Sequence, residues 1–184
     1  VRAFSSTRES VRHGSIIFME MVRLGVNSIP VVLMASIFAG VVLTLQTAYQ
    51  LENTILTAEA IGTIVVPTLI LEMAALTPGL VLASRVGASI AAELGTMKVT
   101  EQVDALEAMG LNSVAYLVLP RVIAGILMFP CLYVASALMS ILAGALAGEY
   151  MGFLSVQSYI IGAKAWFVPF DAYFGVTKSM VFGF

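Results

Sequence analysis

Two stretches without a single Asp, Glu, Lys or Arg, Leu24 to Leu51 and Val122 to Gly148, decide what this chain can fold into. Each is longer than the roughly 20 apolar residues that a helix needs to cross a hydrocarbon core. Backbone in lipid must satisfy its own hydrogen bonds, so stretches of this kind become helices. Hydrophobic residues fill 60% of the 184 positions and charged residues 11%, against about 25% charged in an ordinary globular domain. A soluble protein of this size has too little interior to hide so much apolar surface. The expected fold class is an all-α integral membrane protein, a polytopic helical bundle.

The same composition narrows function. A formal net charge of −2 leaves no basic patch able to neutralise several phosphates, which argues against nucleic acid. Cys131 is the single cysteine and His13 the single histidine, so neither a disulfide nor a Cys/His metal site can be assembled. No Gly-x-x-x-x-Gly-Lys-Ser/Thr loop is present to cradle ATP phosphates, and no nucleophile–base pair stands out. The expectation is a non-enzyme with no cofactor and no metal.

Along the chain, residues 1–23 carry Arg2, Arg8, Arg12, Arg23 and His13 against Glu9 and Glu20. Val11, Ile16, Phe18, Met19, Val22 and Val26 fall loosely on one helical face, the pattern of an interfacial helix lying along a membrane. A short soluble lead-in is the alternative. Residues 24–51 form the first span, with Pro30 in its first turn. The loop after it has Glu52 and Glu59 but no Lys or Arg. Residues 60–92 read as one span kinked near Pro78, or as a re-entrant pair meeting at Thr77-Pro78-Gly79. Residues 114–148 form another span. Residues 150–170 are ambiguous between a re-entrant and an extracytoplasmic segment, and 171–184 begin a further span. The chain starts at Val1 and stops at Phe184 inside an apolar run, so it reads as a fragment whose C-terminal span is missing. No signal peptide is evident.

Residues 95–110 break the apolar pattern. Val99, Val103, Leu106 and Met109 or Gly110 step by threes and fours along one stripe, while Lys98, Glu101, Gln102, Asp104 and Glu107 take the remaining surface. Gly95 loosens the chain before this helix and Gly110 is placed to end it. Its acidic face suits the docking of a partner protein better than contact with an anionic leaflet. Arg85, Lys98 and Arg121 surround it, and the 52–59 loop has no Lys or Arg, so this helix and the N-terminus are expected on the cytoplasmic side.

Two small-residue series repeat every four positions: Gly79, Ala83, Gly87, Ala91, Gly95 and Ser136, Ser140, Gly144, Gly148, Gly152. Such faces let helices approach closely in lipid, within one subunit or across a homodimer. Glu72 lies within an apolar stretch, where a carboxylate faces a wet cavity or makes a structural hydrogen bond. Thirteen positions separate it from Arg85, about 20 Å of rise, so the two are not expected to pair without a bend. Ten Met residues suit an adaptable cavity for acyl chains.

The string "ELGTMKVTEQVDALEAMG", followed by "YLVLPRVIAG", closely resembles the signature region of MlaE-type permeases. The similarity extends upstream through "LVLASRVGASIAAELGTM" and downstream to "GVTKSMVFGF", covering most of residues 60–184 in order. The resemblance implies the membrane subunit of an ABC transporter that moves phospholipid or a related lipid between membranes. It implies that the charged helix is the coupling helix docked on a cytoplasmic ATPase subunit. It further implies a homodimer, a periplasmic lipid-binding protein of the MCE type, and residence in the inner membrane of a double-membraned bacterium. Glu72 matches a family carboxylate and Lys178 a family lysine, both possible headgroup contacts together with Arg85. One departure is clear: many relatives read Arg-Glu-Leu-Gly-Pro where this chain has Leu71-Glu72-Met73-Ala74-Ala75. Two rival functions follow from the residues alone: a membrane scaffold that docks a cytoplasmic protein, and an ion-coupled carrier using Glu72 and Arg85.

Overall fold

The computed structural model describes residues 14–51, 58–110 and 113–184. Among them there is no strand. The helices are α1 (Gly14–Leu24), α2 (Ile29–Leu51), α3 (Ala58–Thr68), α4 (Ala74–Val99), α5 (Gln102–Ala108), α6 (Ser113–Tyr150), α7 (Val156–Ala165) and α8 (Pro169–Phe182). A 3-10 turn at Val26–Ser28 joins α1 to α2, and a π turn at Leu69–Met73 joins α3 to α4. Among the described residues, three continuous helical stretches are long and apolar enough to cross a membrane: Ile17–Leu51, Glu59–Val99 and Tyr116–Tyr150. This is a multi-pass, all-α membrane protein.

All three stretches are much longer than a bilayer requires. The 41 residues of Glu59–Val99 extend about 61 Å, twice a hydrocarbon thickness of about 30 Å. The helix is continuous through Thr77-Pro78-Gly79, so the re-entrant pair is not formed. Neighbouring helices compensate for the donor that a membrane proline lacks, and Pro78 is buried against them. The departure from α geometry lies instead at Leu69–Met73, around Glu72.

The core of the bundle is α2 against α6. Val32, Ser36, Gly40, Thr44 and Ala48 are the buried residues of α2, one every four positions along a single face. They meet Ser136, Ser140 and Gly144 of α6: the Ser36 and Ser136 hydroxyls lie 2.7 Å apart. A methyl group added at Gly40 would run into the Ser140 carbonyl, and one at Gly144 into the Thr44 hydroxyl. Small side chains here bring two backbones close, and dispersion plus interhelical hydrogen bonds then hold them in a solvent as apolar as their own surfaces. Gly148 faces Leu154, whereas Gly152, at φ +79°, turns the chain after α6.

A second interlock joins α3 to α7. Gly62 lies against the backbone of Tyr159 and Gly162 against that of Glu59, while the Thr63 hydroxyl donates to the Gly162 carbonyl at 3.2 Å. Around it Val65, Leu69, Leu154 and Tyr159 form the largest buried apolar cluster. Ser155 caps α7 by accepting from the Ser158 N–H. The ambiguous segment 150–170 is therefore a ten-residue helix bound to α3, followed by α8 with Pro169 in its first turn.

The N-terminal helix is described from Gly14; the expectations that rest on Arg2, Arg8, Arg12 and His13, and on Glu52 in the following loop, lie outside the described residues. In α1, Phe18 and Met19 are 66% and 71% exposed, while Glu20 and Arg23 turn toward charged partners on α6 and α4. The apolar side faces outward, as a lipid surrounding favours.

Candidate functional site

The charged segment is shorter than its sequence suggests. The helix expected from residue 95 begins at Gln102 instead, because α4 continues through Gly95 to Val99. Gly95 is simply an exposed helical residue. The break falls at Thr100 and Glu101, and Glu101 adopts the left-handed conformation at φ 58°. Without a Cβ penalty only glycine takes this conformation freely. Lys98 bridges the break, donating from Nζ to Asp104 Oδ1 at 2.6 Å. At the other end Gly110 has φ +76°, and the Ser113 hydroxyl donates to Glu107 Oε1 at 2.8 Å. Glu101, Gln102, Asp104 and Glu107 are all exposed. Val99, expected on the apolar stripe of this helix, ends α4 instead and is 84% exposed. The result is a compact acidic knob at the end of the longest span, pinned at both its corners.

Replacing Glu101 by Gly removes the left-handed penalty, about 1 kcal/mol or more. We expect a higher thermal midpoint for Glu101→Gly and a lower one for Glu101→Val, read by thermal unfolding in detergent. Equal midpoints for the two variants would contradict strain at this turn.

The polar group within the spans centres on the π turn. Glu72 lies thirteen residues in from Glu59, about 20 Å along the axis. Its Oε2 accepts from Lys178 Nζ at 3.2 Å, and the same Nζ donates to the Leu71 carbonyl at 3.1 Å. Tyr133 of α6, itself buried, donates to the Ile70 carbonyl at 3.1 Å. Two side-chain donors from two other helices thus end on successive carbonyls of the π turn. Such turns interrupt the regular ladder and recur at functional sites. The Glu72 side chain remains 63% exposed while Lys178 is 25% exposed, so the carboxylate faces out of the bundle with a cation behind it. Arg85 is not part of this group: it donates to the Asn27 carbonyl at 2.8 Å, securing the turn before α2. Tyr133 carried no sequence signal, since a lone tyrosine in an apolar run looks like any core aromatic.

Of the first small-residue series, Gly79 meets the Phe182 ring, while a methyl group added at Gly87 or Gly95 would meet nothing within 4 Å. Gly79, Ala83 and Gly87 line an apolar groove of about 290 Å³ between α4 and α6, capped by Phe182 and Gly183. Among the described residues no group of three or more His, Cys, Asp or Glu could hold a metal ion.

The fold is that of a multi-span helical membrane protein with a charged knob at one end and an ion pair inside its spans. Comparison with known proteins gives the family: the model for "Permease MlaE" matches residues 17–184, and the chain belongs to that family. It is 41% identical over 170 residues, 92% of the chain, to a probable ABC transporter permease protein of Rickettsia bellii, covering 65% of that relative. It is 39% identical over 182 residues to a probable ABC transporter permease protein of Rickettsia prowazekii, covering 99% of the chain and 70% of the relative. It is also 28% identical over 172 residues to the intermembrane phospholipid transport system permease protein MlaE of Haemophilus influenzae, covering 93% of the chain and 66% of that protein. The chain thus spans about two-thirds of the length of these curated relatives.

Proposed function

We propose that this chain is the membrane-embedded part of an ATP-driven transporter that moves phospholipid or a related lipid between membranes. The observation that carries the reading is the Glu72–Lys178 pair: a carboxylate 63% exposed within a membrane-spanning helix needs a polar surrounding. A cavity between two copies of the chain would supply one, and the Lys178 ammonium behind the carboxylate would add a positive charge for a lipid phosphate entering it. A homodimer would meet that need. The name of the Haemophilus influenzae relative, an intermembrane phospholipid transport system permease, supports the cargo class.

The acidic knob at Gln102–Ala108 is the docking element for a separate cytoplasmic ATPase subunit, because the chain has no phosphate-binding loop of its own. The end of the bundle that holds α5 and α1 is then cytoplasmic and the α7 end periplasmic. A periplasmic lipid-binding partner of the MCE type receives or delivers the cargo, and the protein resides in the inner membrane. The test is copurification. With Glu101 and Asp104 both changed to Lys, we expect the full-length permease to fold and to lose the ATPase. Retention of the ATPase at full yield would remove the docking assignment.

A further inference from the structure

At the knob end of the bundle, three elements are tied by charge. Glu93 of α4 accepts two guanidinium groups on one oxygen: Arg23 Nη1 of α1 at 2.7 Å and Arg121 Nη2 of α6 at 2.9 Å. Arg121 also reaches Glu20 Oε1 of α1 through Nε, at 3.4 Å. A weaker contact runs from Arg23 Nη2 to the Ser89 hydroxyl at 3.3 Å. The group is charge-balanced, with two carboxylates and two guanidiniums. Arg121 is 8% exposed, yet its Nη1 has no partner among the described residues.

Glu93 is also well placed to move. It sits six residues before Val99, about 9 Å along the same rigid helix from the break that carries the knob. A displacement of the knob that carries α4 with it therefore reaches Glu93 before it reaches the π turn. Chains of ion pairs between rigid helices are one kind of element through which coupling passes between distant sites.

We propose that Glu93 is a positioning residue for transport: through Arg23 it transmits displacement of α4 to α1, so that the N-terminal helix moves with the docking knob. This rests on the reading of α5 as the ATPase-docking element. The two double variants that test this both break the Arg121–Glu93 contact, so they differ in which pair to α1 survives. Removing one partner of a buried pair is costly, but replacing both by apolar residues is often tolerated. Two charge-balanced double variants are compared, Arg23→Met/Glu93→Met and Glu20→Met/Arg121→Met. Each is made in the full-length permease with its ATPase and reconstituted with dye-labelled phosphatidylethanolamine.

The measured quantity is lipid transferred per ATP hydrolysed. We expect Arg23→Met/Glu93→Met to keep its ATPase and its hydrolysis rate while this ratio falls about five-fold or more. Glu20→Met/Arg121→Met, which keeps the Arg23–Glu93 link, should hold the ratio closer to wild type although it removes the more buried pair. If the ratio is unchanged in Arg23→Met/Glu93→Met, or falls more in the other variant, the proposal is wrong. Because Glu93→Met also strips the buried Arg121 of its 2.9 Å partner, Arg23→Gln, which leaves Arg121 on Glu93, is measured beside the double variants and must also lower the ratio. A wild-type complex that hydrolyses ATP without moving lipid, or retains no ATPase, would overturn the functional reading and this inference with it.

Discussion

Gly40→Val is expected to abolish recovery of folded protein. The added side chain would meet the Ser140 backbone, which cannot rotate away as a flexible side chain could. Overpacking in a well-packed core costs typically about 1–3 kcal/mol even where side chains can yield, and here the whole α2–α6 contact must open. The Ser36–Ser136 hydrogen bond, one turn away, would separate with it. Gly144→Val should also destabilise, but less, because its Cβ would first meet the Thr44 hydroxyl, a side-chain atom that can turn, and only then the Gly40 carbonyl. Gly87→Ala is the control of opposite sign: nothing lies within 4 Å of that position, so the gain in helix propensity should stabilise by about 0.5–1 kcal/mol. Thermal unfolding of detergent-solubilised protein, with the yield of monodisperse material, reads all three. A Gly40→Val protein that melts at the wild-type temperature would mean that α2 and α6 do not pack as described.

The second large effect concerns cargo. Lys178→Ala should lower lipid transfer about tenfold or more, since a hydrogen bond to a charged group contributes about 1.5–3 kcal/mol. Assembly with the ATPase should persist, because the knob is remote from this site along α4. The single variant alone is ambiguous, for it also leaves Glu72 without its cation. Lys178→Met/Glu72→Gln resolves this. If the pair serves only to hold α8 against the π turn, the neutral double variant restores transfer. If Lys178 holds the headgroup phosphate, the double variant is as poor as the single. Phospholipid counted by mass spectrometry after extraction gives an independent reading of the same loss.

The spans were legible in the sequence because solvent chemistry dictates them: charge-free stretches around 24–51 and 122–148 have no other stable form in lipid. The acidic character of 101–107 was equally plain. Its boundaries were not, since the stripe through Val99 and Val103 keeps helical spacing across a break that only the left-handed Glu101 reveals. Pro78 drew the expected bend to itself, yet the irregularity lies around Glu72, where a π turn leaves no periodic signature in the residues. The α2 ridge of Ser36, Gly40 and Thr44 was available at the same four-residue spacing as the α6 series it meets. Pairing one ridge with the other requires knowing which spans are neighbours.

Long-range ion pairs were the least legible part. Glu93 opens the very string that identifies the family, but its partners Arg23 and Arg121 lie on other helices, and nothing in local spacing joins them. The same holds for Lys178 and Glu72, separated by more than a hundred positions and brought together only when α8 docks on the π turn. Residue chemistry alone favoured two roles for Glu72, cavity lining or a structural hydrogen bond. The structure gives it both a bonded cation and an exposed oxygen-bearing side chain.

Native mass spectrometry of the full-length permease, purified with its associated proteins from its own host, tests the central claim most directly. Two permease copies with two ATPase subunits, releasing phospholipid on activation in the gas phase, are expected. A stable assembly containing neither ATPase nor lipid would contradict that claim, and would leave the acidic knob as a docking point for some other protein.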